Sequence, residues 1–263
     1  MKIVSLSDLH IGKWENYGMN LLKMASTMTG DVLWLNGDII EPKSNINEEL
    51  VFTEISKLKE YYDHIVWVAG NNCLELKCLS DQIINYRYEL SGILHQYGIQ
   101  LLDDRPLFIN DYALIGSIGW SNGDLWTKSS IKSNEPNDRV ACIKAAEVYF
   151  SKIFGDRWTS TSAEFNSSVK DKLNSDILSA LKSDRKIILG THFVTSKDFC
   201  MYGNNPRFDY LNWYMGFDGI NLYKYASPVI GLVGHTHRSK VVLVGETKVW
   251  NISGAKEPFV FDF

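Results

Sequence analysis

Five short apolar runs rich in β-branched residues, at 2–7, 32–36, 65–69, 186–190 and 229–233, alternate with segments of helical spacing. This alternation restricts the chain to an α/β fold. Helices are expected over roughly 17–28 (stripe Leu21, Leu22, Met24, Ala25, Met28), 48–62, and 79–97 (Ile83, Ile84, Leu90, Ile93, Leu94). From about 99, strands follow closely at 99–102, 106–109 and 112–117; after 229 they do so again, at 240–244, 247–251 and 258–262. Closely spaced strands connect antiparallel, so the sheets should be mixed. A polar loop at 121–137, helices at 138–154 and 162–182, and an irregular aromatic segment at 193–227 complete the chain. No repeat or Pro/Gly/Ser linker divides it. The organisation predicted is one domain, 1–263, with an insertion around 121–185 and an aromatic loop at 193–227.

A chain of 263 residues with 45% hydrophobic content can fold without staples. Its 27 Lys+Arg against 31 Asp+Glu give a net charge of −4, so no global positive field gathers nucleic acid. A nucleic-acid end still fits a local basic patch. Cys73, Cys78, Cys142 and Cys200 are too scattered for a disulfide framework and form no C-x-x-C pair, which predicts reduced thiols and a cytoplasmic protein. Met1-Lys2-Ile3-Val4-Ser5-Leu6 enters a strand without a secretion signal, and no apolar run reaches the roughly 18–20 residues of a membrane span. The sequons at Asn166 and Asn251 therefore carry no weight. P-loop, dinucleotide and nucleophile-elbow motifs are missing, which removes nucleotide-driven motors, dehydrogenases and serine hydrolases.

Each of the five apolar strands runs into residues that bind metals: Asp8 and His10, Asp38, Asn71, His192, and His235 with His237. Side chains from several strands converge at the carboxyl end of an α/β sheet. Four of the six histidines fall at these strand ends, with Gly37, Gly70, Gly190 and Gly234 just upstream. Asp8/His10 and His235/His237 are spaced i, i+2, so in extended backbone each pair faces one side and could grip one metal. Imidazole, carboxylate and amide oxygen without thiolate suit two divalent ions drawn from Mn, Fe, Zn or Ni, with Mg also allowed. Cys73 and Cys200 are poor partners for that set. The remaining histidines read as ordinary: His64 just past an acidic helix, His95 within a helical stripe.

In this order, Asp8-x-His10, Gly37-Asp38, Gly70-Asn71, His192 and Gly234-His235-x-His237 resemble the calcineurin-like metallophosphoesterase superfamily. The motifs lie within 1–72 and 186–254; the stretch 73–185 matches only in its β/α character. The resemblance implies a four-layer α/β/β/α sandwich with two mixed sheets and a dinuclear centre. It assigns Asp8, His10, Asp38 and His237 to one metal, and Asp38, Asn71, His192 and His235 to the other. Two cations ~3.5–4 Å apart can hold a bridging hydroxide and stabilise an in-line displacement at phosphorus. A homodimer is a further analogy with this superfamily.

One departure shifts the expected reaction. Where the family has Gly-Asn-His followed by an acid, this chain has Gly70-Asn71-Asn72-Cys73, losing the proton donor and its orienting carboxylate. Asn72 can donate a hydrogen bond to a phosphate or a developing alkoxide, but no proton. His95, Glu75, Tyr202 and Lys197 are the nearest substitutes. The loss points to a phosphodiesterase, and Asp38 and Asn72 are its expected catalytic residues. Trp14, four residues past His10, and the aromatics of 193–227 offer faces for a base, while Arg207 and Lys197 could meet a phosphate, so a nucleotide-like diester is the expected substrate. A phosphomonoesterase, a non-catalytic metal-binding scaffold and a nuclease are the alternatives.

Overall fold

The computed structural model describes residues 1–14, 16–79, 85–121, 125, 151, 158–200 and 215–263. The strands are β1 (Lys2–Leu6), β2 (Gly30–Asn36), β3 (Tyr62–Val68), β4 (Gln100–Leu101), β5 (Leu107–Ile109), β6 (Tyr112–Ser117), β7 (Lys186–Thr191), β8 (Ile230–Val233), β9 (Lys240–Val244), β10 (Thr247–Asn251) and β11 (Phe259–Asp262). The helices are α1 (Tyr17–Ala25), α2 (Glu48–Ser56), α3 (Tyr86–Gln96), α4 (Trp158–Lys182) and α5 (Ile220–Ala226). One sheet runs β11-β1-β2-β3-β4, the other β5-β6-β7-β8-β10-β9. Both are mixed, as expected. β1, β2, β3 and β4 are parallel neighbours with β11 antiparallel at the edge, and β6, β7, β8 and β10 are parallel with β5 and β9 antiparallel.

Strands buried on both faces read as continuous apolar runs because alternate residues serve two different cores. Ile3, Val32, Trp34, Val66 and Val68 meet Leu114, Ile188 and Leu232 between the sheets. Their neighbours Val4, Leu33, Leu35, Ile65 and Trp67 face outward with Leu21, Leu22, Phe52, Ile55, Leu90 and Leu94 of α1, α2 and α3. On the other sheet, Ala113, Ile115, Ile187 and Leu189 share that second cluster with Val169, Leu173 and Ile177 of α4. The result is the four-layer α/β/β/α sandwich.

Several expectations need correction. The 48–62 helix stops at Ser56, giving way to a 3₁₀ turn at Lys57–Glu60 and the start of β3. The described part of the 79–97 helix begins at Tyr86, and the 162–182 helix begins earlier, at Trp158. The 138–154 helix falls outside the described residues except for residue 151. Close succession misled twice: β4 and β5 lie in different sheets, and β10 pairs parallel with β8 while β9 lies beyond it. The 193–227 segment contains a 3₁₀ turn at Lys197–Phe199 and α5. His64 lies within β3, and His95 projects from the last turn of α3 into solvent.

Two buried polar groups lock the sheets together near the end where ligands gather. The Trp34 indole donates to Asn36 Oδ1 at 3.0 Å, and Asn36 Nδ2 donates to the Thr191 carbonyl of the opposite sheet at 3.0 Å. Asp103, raised in pKa by its burial, accepts from Ala69 N at 2.7 Å, Ile118 N at 2.5 Å and the Tyr86 hydroxyl at 3.0 Å. It thus ties the exits of β3 and β6 to α3.

Candidate metal centre

All seven expected ligands converge at the carboxyl ends of β1, β2, β3, β7 and β8, and six of them form two clusters. Asp8, His10 and His237 make one; Asp38, His192 and His235 make the other, with ligand atoms in each cluster within 4.8 Å of one another. The seventh, Asn71, opens a 3₁₀ turn and brings Oδ1 to 3.1 Å from His192 Nε2. Asp38 Oδ2 faces both groups, 3.4 Å from His192 Nε2 and 3.9 Å from His10 Nε2.

The i, i+2 expectation fails in its mechanism. Asp8 (φ 53°), His10 (φ 41°), Asp38 (φ 50°), His235 (φ 70°) and His237 (φ 52°) all have left-handed backbone, making up five of the nine such non-glycine residues described. Strain of this kind survives only where the surroundings enforce it. Here Asp8 N and His10 N donate to Gly37 O at 2.9 Å and Asp38 O at 3.0 Å, which zips the first ligand loop onto the second. Asp8 and His10 still share one cluster, but His235 and His237 divide between the two. Glycines make the approach possible: a Cβ at Gly37 would collide with the His192 ring, and one at Gly70 with the Asp38 carboxylate.

Asp8, His10, Asp38 and His192 are each aimed by a partner on the side away from the cluster. Asp8 Oδ2 accepts from the Ser7 hydroxyl and from His235 N at 3.1 Å, leaving Oδ1 to face His237 Nε2 at 3.5 Å and His10 Nε2 at 3.8 Å. Asp38 Oδ1 accepts the Asn72 amide N–H at 2.8 Å, leaving Oδ2 inward. His192 Nδ1 meets the Asn36 carbonyl at 3.2 Å; a carbonyl only accepts, so Nδ1 carries the proton and Nε2 is the inward nitrogen. Glu41, which sequence reasoning missed, sits 3.2 Å from His10 Nδ1 and orients that ring as a second-layer carboxylate does. Its signal was a carboxylate three residues past Asp38. Also missed was Asn251, whose buried amide donates to Thr236 Oγ1 at 2.6 Å and accepts from Ser253 N and Oγ, bracing the Gly234–His237 turn.

These residues fit divalent cations. Asp8 Oδ1 and His10 Nε2 are buried without a hydrogen-bond partner, a costly state for a carboxylate and an imidazole unless a cation completes them. The 3.4–3.9 Å separations match neighbouring ligands of an ion whose bonds are about 2.0–2.2 Å long. The charges agree. Burial opposes ionising Asp8, but the His192, His10 and His237 imidazoles hold it far below the usual carboxylate range. Asp38 is lowered too, with His192 overcoming the effect of burial. Burial alone would lower His192, yet the Asp38 and Asp8 carboxylates push it up to about 9. His235 is driven down to about 3, first by burial and then by His192.

The other expected residues divide. Trp14 is 39% exposed and stands edge-on to His10 (4.8 Å) and His237 (5.3 Å), with Lys13 Nζ 5.2 Å from its ring. It walls the Asp8 cluster. The Asn72 side chain turns aside: Nδ2 lies 3.3 Å from Glu41 Oε2 and 3.1 Å from His10 Nδ1, and its Oδ1 accepts from Asn71 Nδ2 at 3.0 Å. Of the substitutes for the missing donor, Glu75 pairs with Lys43 at 2.9 Å, and His95 lies on α3 away from the cluster. Arg207 and Tyr202 fall outside the described residues. Cys73 is structural, its buried Sγ accepting from Gly70 N at 3.2 Å, and burial pushes its thiol up to about 12.

A two-sheet sandwich with carboxylate and imidazole clusters at its strand ends defines a metallohydrolase-type protein. The family model for calcineurin-like phosphoesterases matches residues 1–239, and the chain belongs to that family. It is therefore a metal-dependent phosphoesterase. Among solved structures, phosphopantetheinyl hydrolase from Mycobacterium tuberculosis superposes with a TM-score of 0.70 at 16% identity, over 96% of this chain and 88% of that one. An anchor protein of the Plasmodium inner membrane complex gives a TM-score of 0.45 at 12% identity, over 96% of this chain and 71% of that one. No curated protein sequence matches the chain. Among the described residues no helix is long and apolar enough to cross a membrane.

Proposed function

We propose that the chain is a dinuclear phosphodiesterase that hydrolyses a small, nucleotide-like phosphodiester. Asp8, His10, Asp38 and His237 would hold one divalent cation, and Asp38, Asn71, His192 and His235 the other. Asp38 Oδ2 supports the bridging role, since that single oxygen faces the nearest imidazole of both clusters. Bound cations would supply Lewis acidity, an activated water and neutralisation of phosphate charge.

The observation that carries the choice of a diester is Asn72. An amide occupies the place of the proton donor, and it is committed to Glu41, His10 and Asn71. Without a general acid, hydrolysis depends on a leaving group that departs well or draws its proton from solvent. A diester with a phosphate-like or phenol-like leaving group meets that condition and brings one negative charge fewer to the centre. Trp14 offers an aromatic face at the rim against which a base or other flat group can rest. The free thiols of Cys73 and Cys78 suit a reducing, cytoplasmic setting. Mn is the first metal to try, because the ligand set has the hard-to-borderline character that suits it.

The test is hydrolysis of bis-p-nitrophenyl phosphate beside p-nitrophenyl phosphate by metal-stripped protein titrated with Mn, Ni, Zn or Mg, with bound metal quantified in parallel. Metal-dependent turnover of the diester alone is expected. Preferential turnover of the monoester would overturn the substrate class, and two bound metals without turnover of either would favour the scaffold reading.

A further inference from the structure

The six histidines of the chain sort into two places. Four form the metal centre. The other two, His64 and His95, line one surface cleft of about 500 Å³ together with Lys59 and Arg105. They arrive from four separate segments: Lys59 from the 3₁₀ turn before β3, His64 from β3, His95 from the last turn of α3, and Arg105 from the loop between β4 and β5. The cleft opens because β4 is only two residues long and covers β3 only at Val66 and Trp67, leaving Tyr62–Ile65 without a ladder neighbour on that side among the described residues. It lies beside the first half of β3, about 20 Å of strand from the metal ligands at the other end.

We propose that this cleft is a second ligand site, for a small organic phosphomonoester. The rim carries Lys59, Arg105 and two imidazoles against one lining carboxylate, Asp63, in a chain whose net charge is −4. Among the described residues none of the four basic side chains is ion-paired, so their donors remain available. Guanidinium and ammonium groups recognise phosphate by charge-assisted hydrogen bonds, and an imidazole has an N–H to give in either tautomer. Lys59 Nζ is set directly over Gly98, at φ +65°, where any Cβ would displace it. Leu107, partly exposed, gives the cleft an apolar edge backed by the buried Ile65, Ile99 and Leu101, and this edge suits the organic part of an ester better than a free inorganic ion. The volume lies within the range of small-molecule sites.

The test follows the ring C–H resonances of the six histidines in the full-length, zinc-loaded protein, with His64→Gln and His95→Gln assigning the two signals of interest. The probes are phenylphosphonate, a dianion that cannot be hydrolysed, and inorganic phosphate. Phenylphosphonate should shift the His64 and His95 signals saturably, binding about tenfold more tightly than inorganic phosphate because its ring can rest on the apolar edge at Leu107. The doubly substituted Lys59→Ala/Arg105→Ala protein, altered only at exposed positions, should lose about tenfold or more in affinity there while its metal-centre signals stay unchanged. Unmoved His64 and His95 signals, an unchanged affinity in the double variant, or a response confined to the four metal-centre histidines would overturn the site. Equal affinity for inorganic phosphate would overturn the organic ester as its ligand.

Discussion

Glu41 Oε2 lies 3.2 Å from His10 Nδ1 and 3.3 Å from Asn72 Nδ2, so one carboxylate oxygen serves both an expected metal ligand and the residue that replaces the family's proton donor. Lys13 Nζ, 3.5 Å away, balances its charge. The His10 ring is thereby held with Nε2 inward. Glu41→Gln should weaken metal binding at the Asp8 cluster about 10–100-fold, with little change in the fold. Metal titration followed by calorimetry checks this, and an unchanged affinity would remove Glu41 from the centre.

The Asn72→His substitution tests the missing donor. A histidine there would find the Glu41 carboxylate beside it, in place of the acid that Cys73 does not supply. Monoesterase activity should rise relative to diesterase, measured as the ratio of kcat/KM for the two p-nitrophenyl substrates. A constant ratio would mean that position 72 does not reach the leaving group.

Asp38→Asn removes the oxygen that faces both clusters while keeping an acceptor for Asn72 N–H. Turnover should fall at least about 10²–10³-fold, and bound metal should drop towards one ion or none. Elemental analysis alongside the rate distinguishes a lost bridge from a lost fold. Full activity would refute the bridging role.

The pH dependence of metal loading follows from His192, whose pKa of about 9 means that it is protonated at neutral pH without metal. A cation must displace that proton, so apparent affinity should rise about tenfold per pH unit up to pH 9 and then level off, with roughly one proton released at pH 7. Calorimetry in buffers of different ionisation enthalpy reads the proton directly. The stability of the metal-free protein carries the same sign. The raised pKa contributes stability that is fully present below the unfolded value of 6.5 and is lost as pH climbs through about 9. Denaturant midpoints of the stripped protein should therefore fall between pH 7 and 9.5.

Gly190 lies on β7 against the opposite sheet, where an added Cβ would strike the Trp34 indole and approach Asn36 Oδ1. Gly190→Ala should cost about 1–3 kcal/mol by overpacking. Thermal unfolding of the metal-free protein measures it. Because Asn36 also holds Thr191, the residue before His192, metal affinity should fall together with the melting temperature.

Much of the fold was legible because strands with both faces buried must be apolar at nearly every position: β1, β2, β6 and β7 lie within a residue or two of the runs that announced them. The ligands were legible for a related reason. A residue such as Asp38 or His192, placed just after an apolar strand and beside glycine, has few structural roles that need its chemistry. The sequence alone thus determined the class of fold, the strand ends that converge, and the types of donor that meet there.

Tertiary structure decided how those donors are shared. The i, i+2 spacing of His235 and His237 suggested one metal per pair, but left-handed backbone at both turns them into different clusters. Asp103 and Asn251 could not be read, and Glu41 was marked only by its place three residues past Asp38, because their partners are distant in sequence or are backbone atoms, which leave no periodic trace. Whether Asn72 faces a substrate or turns back towards Glu41 also depends on side-chain geometry that spacing does not encode. The clustering of His64 and His95 with Lys59 and Arg105 arises only because β4 ends after two residues and leaves a flank of β3 uncovered. Local patterning selects the elements and their order; the packing of two sheets selects which side chains share a site.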